Sequence, residues 1–161
     1  MDRSARMSAL IVTVVALVVD QATKWWALTV LRNAGGHLPQ PGPIDFTLTF
    51  NESNAFGLTP VIGDATRWFL MSANLIVAAI ILYVIVAKQV RSLTLFGLAL
   101  IMAGAIGNAL DRLFIGAVVD FLDATKIGFV WIFNVADVAI LIGASLLAVA
   151  ELRRRRESVR Q

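Results

Sequence analysis

The sequence contains no cysteine and only one histidine, and both shortages exclude kinds of site. Without cysteine the chain can form neither a disulfide framework nor a thiolate metal site. The single histidine, His37, lies in a loop rich in proline and glycine. It offers neither a metal site on its own nor a base for a serine nucleophile elsewhere in the chain. We therefore expect no metal and no cofactor.

Charged residues are scarce as well. They make up 16% of the 161 residues, whereas hydrophobic residues make up 58% and the mean hydropathy is +0.79. Soluble domains contain about 25% charged residues, so this composition indicates a membrane protein. The length suggests one domain. The basic residues lie beside apolar segments and not among base-stacking aromatics, which argues against nucleic acid as a partner.

Four apolar segments are long enough to cross the ~30 Å hydrocarbon core of a bilayer as helices. They cover residues 8–31, 68–87, 93–111 and 130–151. A secretory signal peptide is the alternative interpretation of the first segment, but no small-residue cleavage site follows its apolar run. In the third segment Ala99, Ala103 and Gly107 recur at four-residue spacing, which favours close packing against another helix.

The two longest connections between these spans are residues 32–67 and 112–129. Residues 44–51 alternate strictly between apolar and polar, which predicts a half-buried strand. Its apolar side would carry Ile44, Phe46, Leu48 and Phe50. The predicted fold is therefore an all-α membrane protein with four transmembrane helices, a small extracytoplasmic β element and a single domain over residues 1–161.

The basic residues predict the orientation of the chain in the membrane. With four spans, both termini and the loop between the second and third spans share one side. That side holds nine of the fourteen basic residues: Arg3, Arg6, Lys88, Arg91, Arg153, Arg154, Arg155, Arg156 and Arg160. The positive-inside rule places this side in the cytoplasm, and both long connections then face the opposite compartment.

Polar side chains from separate segments fall at the outer level of the predicted bundle. They are Asp20, Lys24, Asn108, Asp111, Arg112, Asp120, Asn134 and Asp137. A charged side chain at the centre of a bilayer costs roughly 3 kcal/mol on insertion scales, so such residues are usually functional. If the fold brings Asp120 to Asp137, the two carboxylates would share one proton. Such a pair can activate a water and polarise an amide carbonyl, as in aspartic proteases.

Other interpretations of these residues remain open at this point. Asp120 could be an ordinary loop residue, and Asp137 could serve only as a hydrogen-bonding group in the helix bundle. A small four-helix transporter or proton-coupled channel would also place Asp, Lys and Arg inside a bundle. A transporter, however, should place them near the midplane with access from both sides. The remaining acidic side chains are interpreted as solvated loop charges: Asp45, Glu52, Asp64 and Asp123.

Four motifs resemble those of a known family. Residues 20–24 match D-Q-x-T-K, residues 107–112 match G-N-x-x-D-R, residues 118–121 match V-V-D-F, and residues 133–137 match F-N-x-A-D. Each motif alone is weak. In this order, spread over essentially the whole chain, they resemble the lipoprotein signal peptidases, which are the type II signal peptidases.

The resemblance implies a membrane aspartyl endopeptidase of the bacterial cytoplasmic membrane with its active site on the extracytoplasmic side. This family removes the signal peptide from prolipoproteins by cutting before a cysteine that carries a diacylglyceryl group. The implied partners are lipid-modified prolipoproteins and membrane lipids, and we expect a monomer. By motif position, Asp120 and Asp137 are catalytic. Substrate-binding or supporting roles fall to Asp20, Lys24, Asn51, Asn108, Asp111, Arg112 and Asn134.

Two stretches depart from the family pattern. The family's N-x-G-A-A-F-G appears at residues 51–57 with Ser53 and Asn54 in place of glycine and alanine. Asparagine tolerates the left-handed backbone region, so Asn54 can partly replace a glycine that serves a turn. Val138 stands where the family usually has serine. These changes concern the shape of the loop and its contacts with substrate, and they leave both aspartates in place.

Overall fold

The structure, a computed structural model, describes residues 3–52 and 64–159. Its helices are α1 (Arg3–Trp26), α2 (Asp64–Ala87), α3 (Ser92–Phe114) and α4 (Val135–Val159). Its strands are β1 (His37–Leu38), β2 (Asp45–Asn51), β3 (Val118–Asp123) and β4 (Ile132–Phe133). A π-helical segment, Ala27–Leu31, continues α1, and all four helices are long and apolar enough to cross a membrane. The predicted fold class, four spanning helices with a small β element, is confirmed.

The fourth helix begins later and ends later than its predicted span. It begins at Val135 because Ile132 and Phe133 pair with β3 as strand β4. It continues through the arginine-rich end, where Glu151 accepts hydrogen bonds from Arg154 and Arg155 at 2.8 Å. Such pairs three and four residues apart support a helix. The apolar run thus marks the spanning part of α4, but not the limits of the helix.

Helix α3 is the most buried of the four, and glycines let α4 approach it closely. A Cβ at Gly104 would collide with the carbonyl oxygen of Ala136, and a Cβ at Gly143 would lie 2.5 Å from that of Gly97. The small-residue face predicted for this segment packs instead toward α1, where the Thr13 hydroxyl donates to the Ala99 carbonyl at 3.1 Å. Small residues therefore serve two neighbours of α3.

The four strands form one antiparallel sheet in the order β1-β2-β3-β4. The sheet packs on the end of α1 and its π-helical continuation. Trp26 makes edge-on contacts with Phe46 at 5.1 Å and with Phe121 at 6.1 Å between ring centroids. Leu31 and Val119 are completely buried in the same apolar cluster. This cluster fixes the sheet over one end of the bundle.

The strand predicted from the alternation exists, but its single apolar face is wrong. Phe46 lies opposite Leu122 on β3, whereas Phe50 lies opposite Val119. The register shifts between Phe46 and Thr49, so β2 contains one residue more than β3 over this stretch. Because neighbouring residues on a strand point to opposite faces, the extra residue places Phe46 and Phe50 on different faces of the sheet.

The interpretation of Asp45 and Asp123 as solvated loop charges is also wrong. The two residues lie opposite each other in the sheet and are only 6% and 8% exposed. Asp45 accepts a hydrogen bond from Lys126 at 2.7 Å, and Asp123 accepts one from the Thr125 hydroxyl at 2.6 Å. These bonds hold the pKa of each carboxyl below its usual value. Separate donors thus allow two like charges to face each other across the strands.

Candidate active site

Five side chains from four parts of the fold meet at the end of the bundle that carries the sheet. Asp120 lies in β3, Asn51 ends β2, and Asn108 lies on α3. Asn134 immediately precedes α4, and Asp137 lies in its first turn. The structure therefore brings the two aspartates predicted from the sequence into one hydrogen-bonded group.

Both carboxylate oxygens of Asp120 are held by amides. Oδ1 accepts a hydrogen bond from Asn134 Nδ2 at 2.7 Å, and Oδ2 accepts one from Asn51 Nδ2 at 3.0 Å. The residue is only 2% exposed. The two amides therefore fix the orientation of a carboxyl group that has little contact with solvent.

Asp137 is oriented by the start of its own helix. Asn134 Oδ1 accepts a hydrogen bond from the Asp137 backbone N–H at 2.9 Å, and Asp137 Oδ2 accepts one from the Asn134 backbone N–H at 3.3 Å. This reciprocal pair is a capping box, in which the cap residue and the third helical residue satisfy each other's backbone N–H groups. Asn108 Nδ2 donates to the remaining oxygen, Oδ1, at 3.0 Å.

Asn134 links the two aspartates directly. Its side-chain oxygen caps α4 and receives the Asp137 N–H, while its side-chain nitrogen donates to Asp120 and also to Asn108 Oδ1 at 3.2 Å. The residue is completely buried. One amide thus contacts both carboxyl-bearing segments. Asp120 lies 14 residues before Asn134 in the sequence, and Asp137 lies three residues after it.

The environment makes Asp120 a weaker acid than an ordinary aspartic acid side chain. Burial and the neighbouring charge of Asp137 raise the pKa of Asp120 to about 7, although the hydrogen bonds from Asn51 and Asn134 and the charge of Lys24 oppose the rise. Near neutral pH this carboxyl can therefore hold a proton or release it. That property is the one a general acid–base catalyst requires.

Asp120 also borders an open groove of about 460 Å³. One side is formed by the end of β2 and the other by the segment that enters β4. The lining residues besides Asp120 are Thr49, Phe50, Asn51, Glu52, Val130, Trp131 and Ile132. A substrate segment in this groove could reach the carboxyl group from the sheet side.

The other four residues predicted to support the site belong to the same network. Lys24 Nζ lies 3.0 Å from Asp20 Oδ2 and 2.8 Å from Asp111 Oδ2, and it donates to Asn108 Oδ1 at 3.0 Å. Arg112 donates to the Asn108 carbonyl at 3.3 Å and lies within electrostatic range of both Asp120 and Asp137.

Two residues near the site were not singled out from the sequence. Gln21 donates to Asp111 Oδ1 at 3.3 Å, and its position next to Asp20 in a matching motif could have indicated this. Arg67 donates to the carbonyls of Arg112 and Leu113 at 2.6 and 2.7 Å, where α3 ends. The sequence contains no signal for that contact.

The two departures from the family pattern differ in what the structure shows. Ser53 and Asn54 lie outside the described residues. Val138 lies in the first turns of α4, and its backbone N–H donates to the Asn134 carbonyl at 3.3 Å, as in a regular helix. Valine at this position is therefore compatible with the capping turn. Within residues 3–52 and 64–159 there is no group of three His, Asp or Glu side chains that could hold a metal ion.

Comparison with known proteins decides the family. A family model described as Signal peptidase (SPase) II matches residues 12–153. The chain belongs to the signal peptidase II family. The lipoprotein signal peptidase of Caulobacter vibrioides is 43% identical over 138 residues, which cover 84% of this chain and 81% of that protein. The lipoprotein signal peptidase of Ralstonia nicotianae is 39% identical over 146 residues, covering 89% and 83%.

A solved structure agrees with this membership of the signal peptidase II family. It is described as a bacterial membrane enzyme determined by the in meso method at 1.9 Å resolution. It is 28% identical to this chain, with a TM-score of 0.77 over 90% of this chain and 92% of the other. The protein is thus a multi-pass bacterial membrane peptidase. The resemblance drawn from the four motifs is confirmed, and none of these findings favours the transporter alternative.

Proposed function

We propose that this peptidase is an aspartic endopeptidase that uses Asp120 and Asp137 to remove the signal peptide from diacylglyceryl-modified prolipoproteins. The cut would fall before the lipid-modified cysteine. The observation that carries the proposal is the link made by Asn134, which contacts both carboxyl-bearing segments. The substrate class is supported by the relatives, which are named lipoprotein signal peptidases.

The chemistry follows from two carboxyl groups that share one proton. The ionised carboxylate removes a proton from a water, and the water oxygen attacks the carbonyl carbon of the scissile bond. The protonated carboxyl donates a hydrogen bond to the carbonyl oxygen and stabilises the tetrahedral intermediate. The C–N bond then breaks as the nitrogen receives a proton from the dyad, which returns to its starting state. Asp120 is suited to carry the shared proton, because its pKa is raised to about 7.

The amide side chains of the site hold the two carboxyl groups in fixed orientations. Asn51 and Asn134 donate to the two oxygens of Asp120, and Asn108 donates to Asp137. These donors favour the ionised form of a carboxyl group and fix its lone pairs. We assign all three as supporting residues, with Asn51 also at the groove where substrate would bind.

The location of the site suits a substrate that is itself anchored in the membrane. The groove beside Asp120 has apolar walls at Phe50, Val130 and Trp131. Its end of the bundle holds the sheet, whereas the opposite end carries the arginine-rich part of α4. By the positive-inside rule we place the termini in the cytoplasm and the active site on the extracytoplasmic side. Apolar side chains exposed along α1 and α2, such as Val18 and Ile80, would contact membrane lipids.

We propose that one chain is sufficient for activity and that it acts as a single-domain monomer. All nine residues assigned to the site come from one protomer and are joined by its own contacts. No residue of a second copy is needed to complete the pair of aspartates.

The direct test is a cleavage assay on a lipidated prolipoprotein peptide with the purified enzyme in detergent or lipid. Asp120→Asn and Asp137→Asn should each abolish turnover, since each removes one half of the shared-proton pair. Asp64→Asn is the matched control, because Asp64 is exposed on α2, outside the site. Full activity in either active-site variant, with the protein folded, would overturn the assignment of the dyad.

A further inference from the structure

A buried ionic cluster of Asp20, Lys24 and Asp111 adjoins the proposed dyad. The Lys24 ammonium lies between the two carboxylates, at 3.0 and 2.8 Å, and each of these side chains is about 2% exposed. None of the three lines the groove beside Asp120, so the cluster does not contact a substrate bound there. Burying ions raises the free energy of the folded state unless their charges and hydrogen bonds are satisfied. Stability alone therefore does not explain why this cluster is present.

Each carboxylate of the cluster also holds the backbone beside one catalytic aspartate. Asp111 Oδ2 accepts the Val119 N–H at 3.0 Å, and Val119 immediately precedes Asp120. Asp20 Oδ1 accepts the Ala136 N–H at 2.8 Å, and Ala136 immediately precedes Asp137. The same device thus acts on both segments that deliver the dyad.

Lys24 connects the cluster to the dyad by a second route. Besides its two carboxylate partners, its ammonium donates to Asn108 Oδ1 at 3.0 Å. Asn108 Nδ2 in turn donates to Asp137 Oδ1 at 3.0 Å. The ammonium therefore fixes which atom of the Asn108 amide faces Asp137, since the oxygen must point toward Lys24.

The close approach of Asp20 to α3 depends on a residue without a side chain. A Cβ at Gly107 would collide with Asp20 Oδ2. Gln21 Nε2 fills the same junction, where it donates to Asp20 Oδ2 at 3.1 Å and to the Gly107 carbonyl at 3.3 Å. Any side chain at position 107 would displace Asp20, and with it the bond to the Ala136 N–H.

We propose that Asp20, Lys24, Asp111 and Gly107 are positioning residues that set the separation between Asp120 and Asp137. The proposal rests on the dyad mechanism described above. The cluster ties β3 through Asp111 and α4 through Asp20 to a single ammonium. The two catalytic segments are thereby held to one reference point. A misplacement of about 1 Å at a reacting group can reduce a rate on the order of 100-fold, so this control is large enough to matter.

The first test compares two glycine substitutions on α3. Gly107→Ala displaces Asp20 from the junction. Gly97→Ala is the matched control, because its Cβ would lie 2.8 Å from the Gly143 carbonyl and would strain the α3–α4 contact away from the cluster. Turnover, KM and thermal unfolding are measured for both in detergent. We expect Gly107→Ala to lose on the order of 100-fold in kcat with KM within about threefold, and Gly97→Ala to lose stability but to keep kcat within about threefold.

The second test changes the ammonium without adding bulk. Lys24→Met removes one of the charges that oppose the raised pKa of Asp120. Loss of this charge should by itself move the alkaline limb of the kcat/KM profile upward, so the positioning role is judged by kcat at the new pH optimum. We expect a loss on the order of 100-fold there, and a wild-type kcat at that optimum would overturn the role of Lys24. Asp111→Asn serves if Gly107→Ala cannot be purified folded. It keeps the size of the side chain and should lower kcat without raising KM.

The outcomes separate this proposal from the proposed function. If Asp120→Asn is inactive but Gly107→Ala and Asp111→Asn keep wild-type kcat, the positioning role is wrong and the dyad stands. Equal losses of kcat in Gly107→Ala and Gly97→Ala would also overturn it, since ordinary destabilisation would then explain both. If Asp120→Asn remains active, the dyad mechanism itself is wrong.

Discussion

Asn134 performs two tasks with one side chain, and substitutions can separate them. Its oxygen caps α4, and its nitrogen donates to Asp120. Asn134→Ser keeps a cap, because serine is about as good as asparagine at this position, but its short hydroxyl gives up the bridge to Asp120. Asn134→Ala gives up both. We therefore expect the two variants to share a loss of activity and to differ in stability.

The magnitudes follow from the bonds that are removed. A hydrogen bond contributes about 0.5–1.5 kcal/mol between neutral groups and about 1.5–3 kcal/mol to a charged group, and Asp120 holds the shared proton for part of the cycle. The expected loss in kcat/KM is therefore between about twofold and about 150-fold for both variants. Loss of the cap costs about 1 kcal/mol more in Asn134→Ala alone. Because the Asn134 bond lowers the pKa of Asp120, both variants should also titrate at a higher pH than the wild type.

The assay is peptide cleavage across a range of pH, combined with thermal unfolding of the purified variants in one detergent. We expect equal activity losses in the two variants and a lower unfolding temperature in Asn134→Ala than in Asn134→Ser. Wild-type kcat/KM in Asn134→Ser would refute the bridge to Asp120. An unchanged pH profile in both variants would show that the Asn134 bond does not lower the pKa of Asp120.

Activity should fall as the pH rises through about 7, because Asp120 then loses the shared proton, and a pH–kcat/KM profile with no alkaline limb below about pH 9 would contradict this. Gly104→Ala should destabilise the protein by about 1–3 kcal/mol through its collision with the Ala136 carbonyl, whereas Gly42→Ala, which meets open space, should change thermal unfolding little. Because the chain has no cysteine, Asn33→Cys and Ser158→Cys give a labelling test without background. An impermeant maleimide should label the first in intact spheroplasts and the second only after lysis, and the reverse result would invert the proposed orientation.

Features of the fold that depend on short stretches of sequence were predictable. Four long apolar runs specify four spanning helices, because each must satisfy its own backbone hydrogen bonds inside the bilayer. The start of α4 is also fixed locally, by the capping box at residues 134–137, although the apolar run alone had placed the start of this span at residue 130. The four-residue spacing of Asp20 and Lys24 likewise predicts their ion pair, which the structure contains at 3.0 Å.

Features that depend on strand register could not be predicted from the sequence. The extra residue of β2 between Phe46 and Thr49 has no glycine or proline to mark it, so the alternation predicted one apolar face where the sheet has two. Asp45 and Asp123 looked like loop charges because nothing in their own segments shows that the strands place them opposite each other. Their donors, Lys126 and Thr125, are brought to them by the fold of the sheet edge.

The sequence by itself determined the spanning helices, the residue types of the site and the family to which the chain belongs. Only the tertiary structure decided that Asp111 holds the backbone before Asp120 while Asp20 holds the backbone before Asp137. The physical reason is the distance along the sequence over which each interaction acts. Helix periodicity and capping act over three or four residues, whereas the Ala136–Asp20 bond joins residues 116 positions apart and forms only when α1, α3 and α4 have packed together.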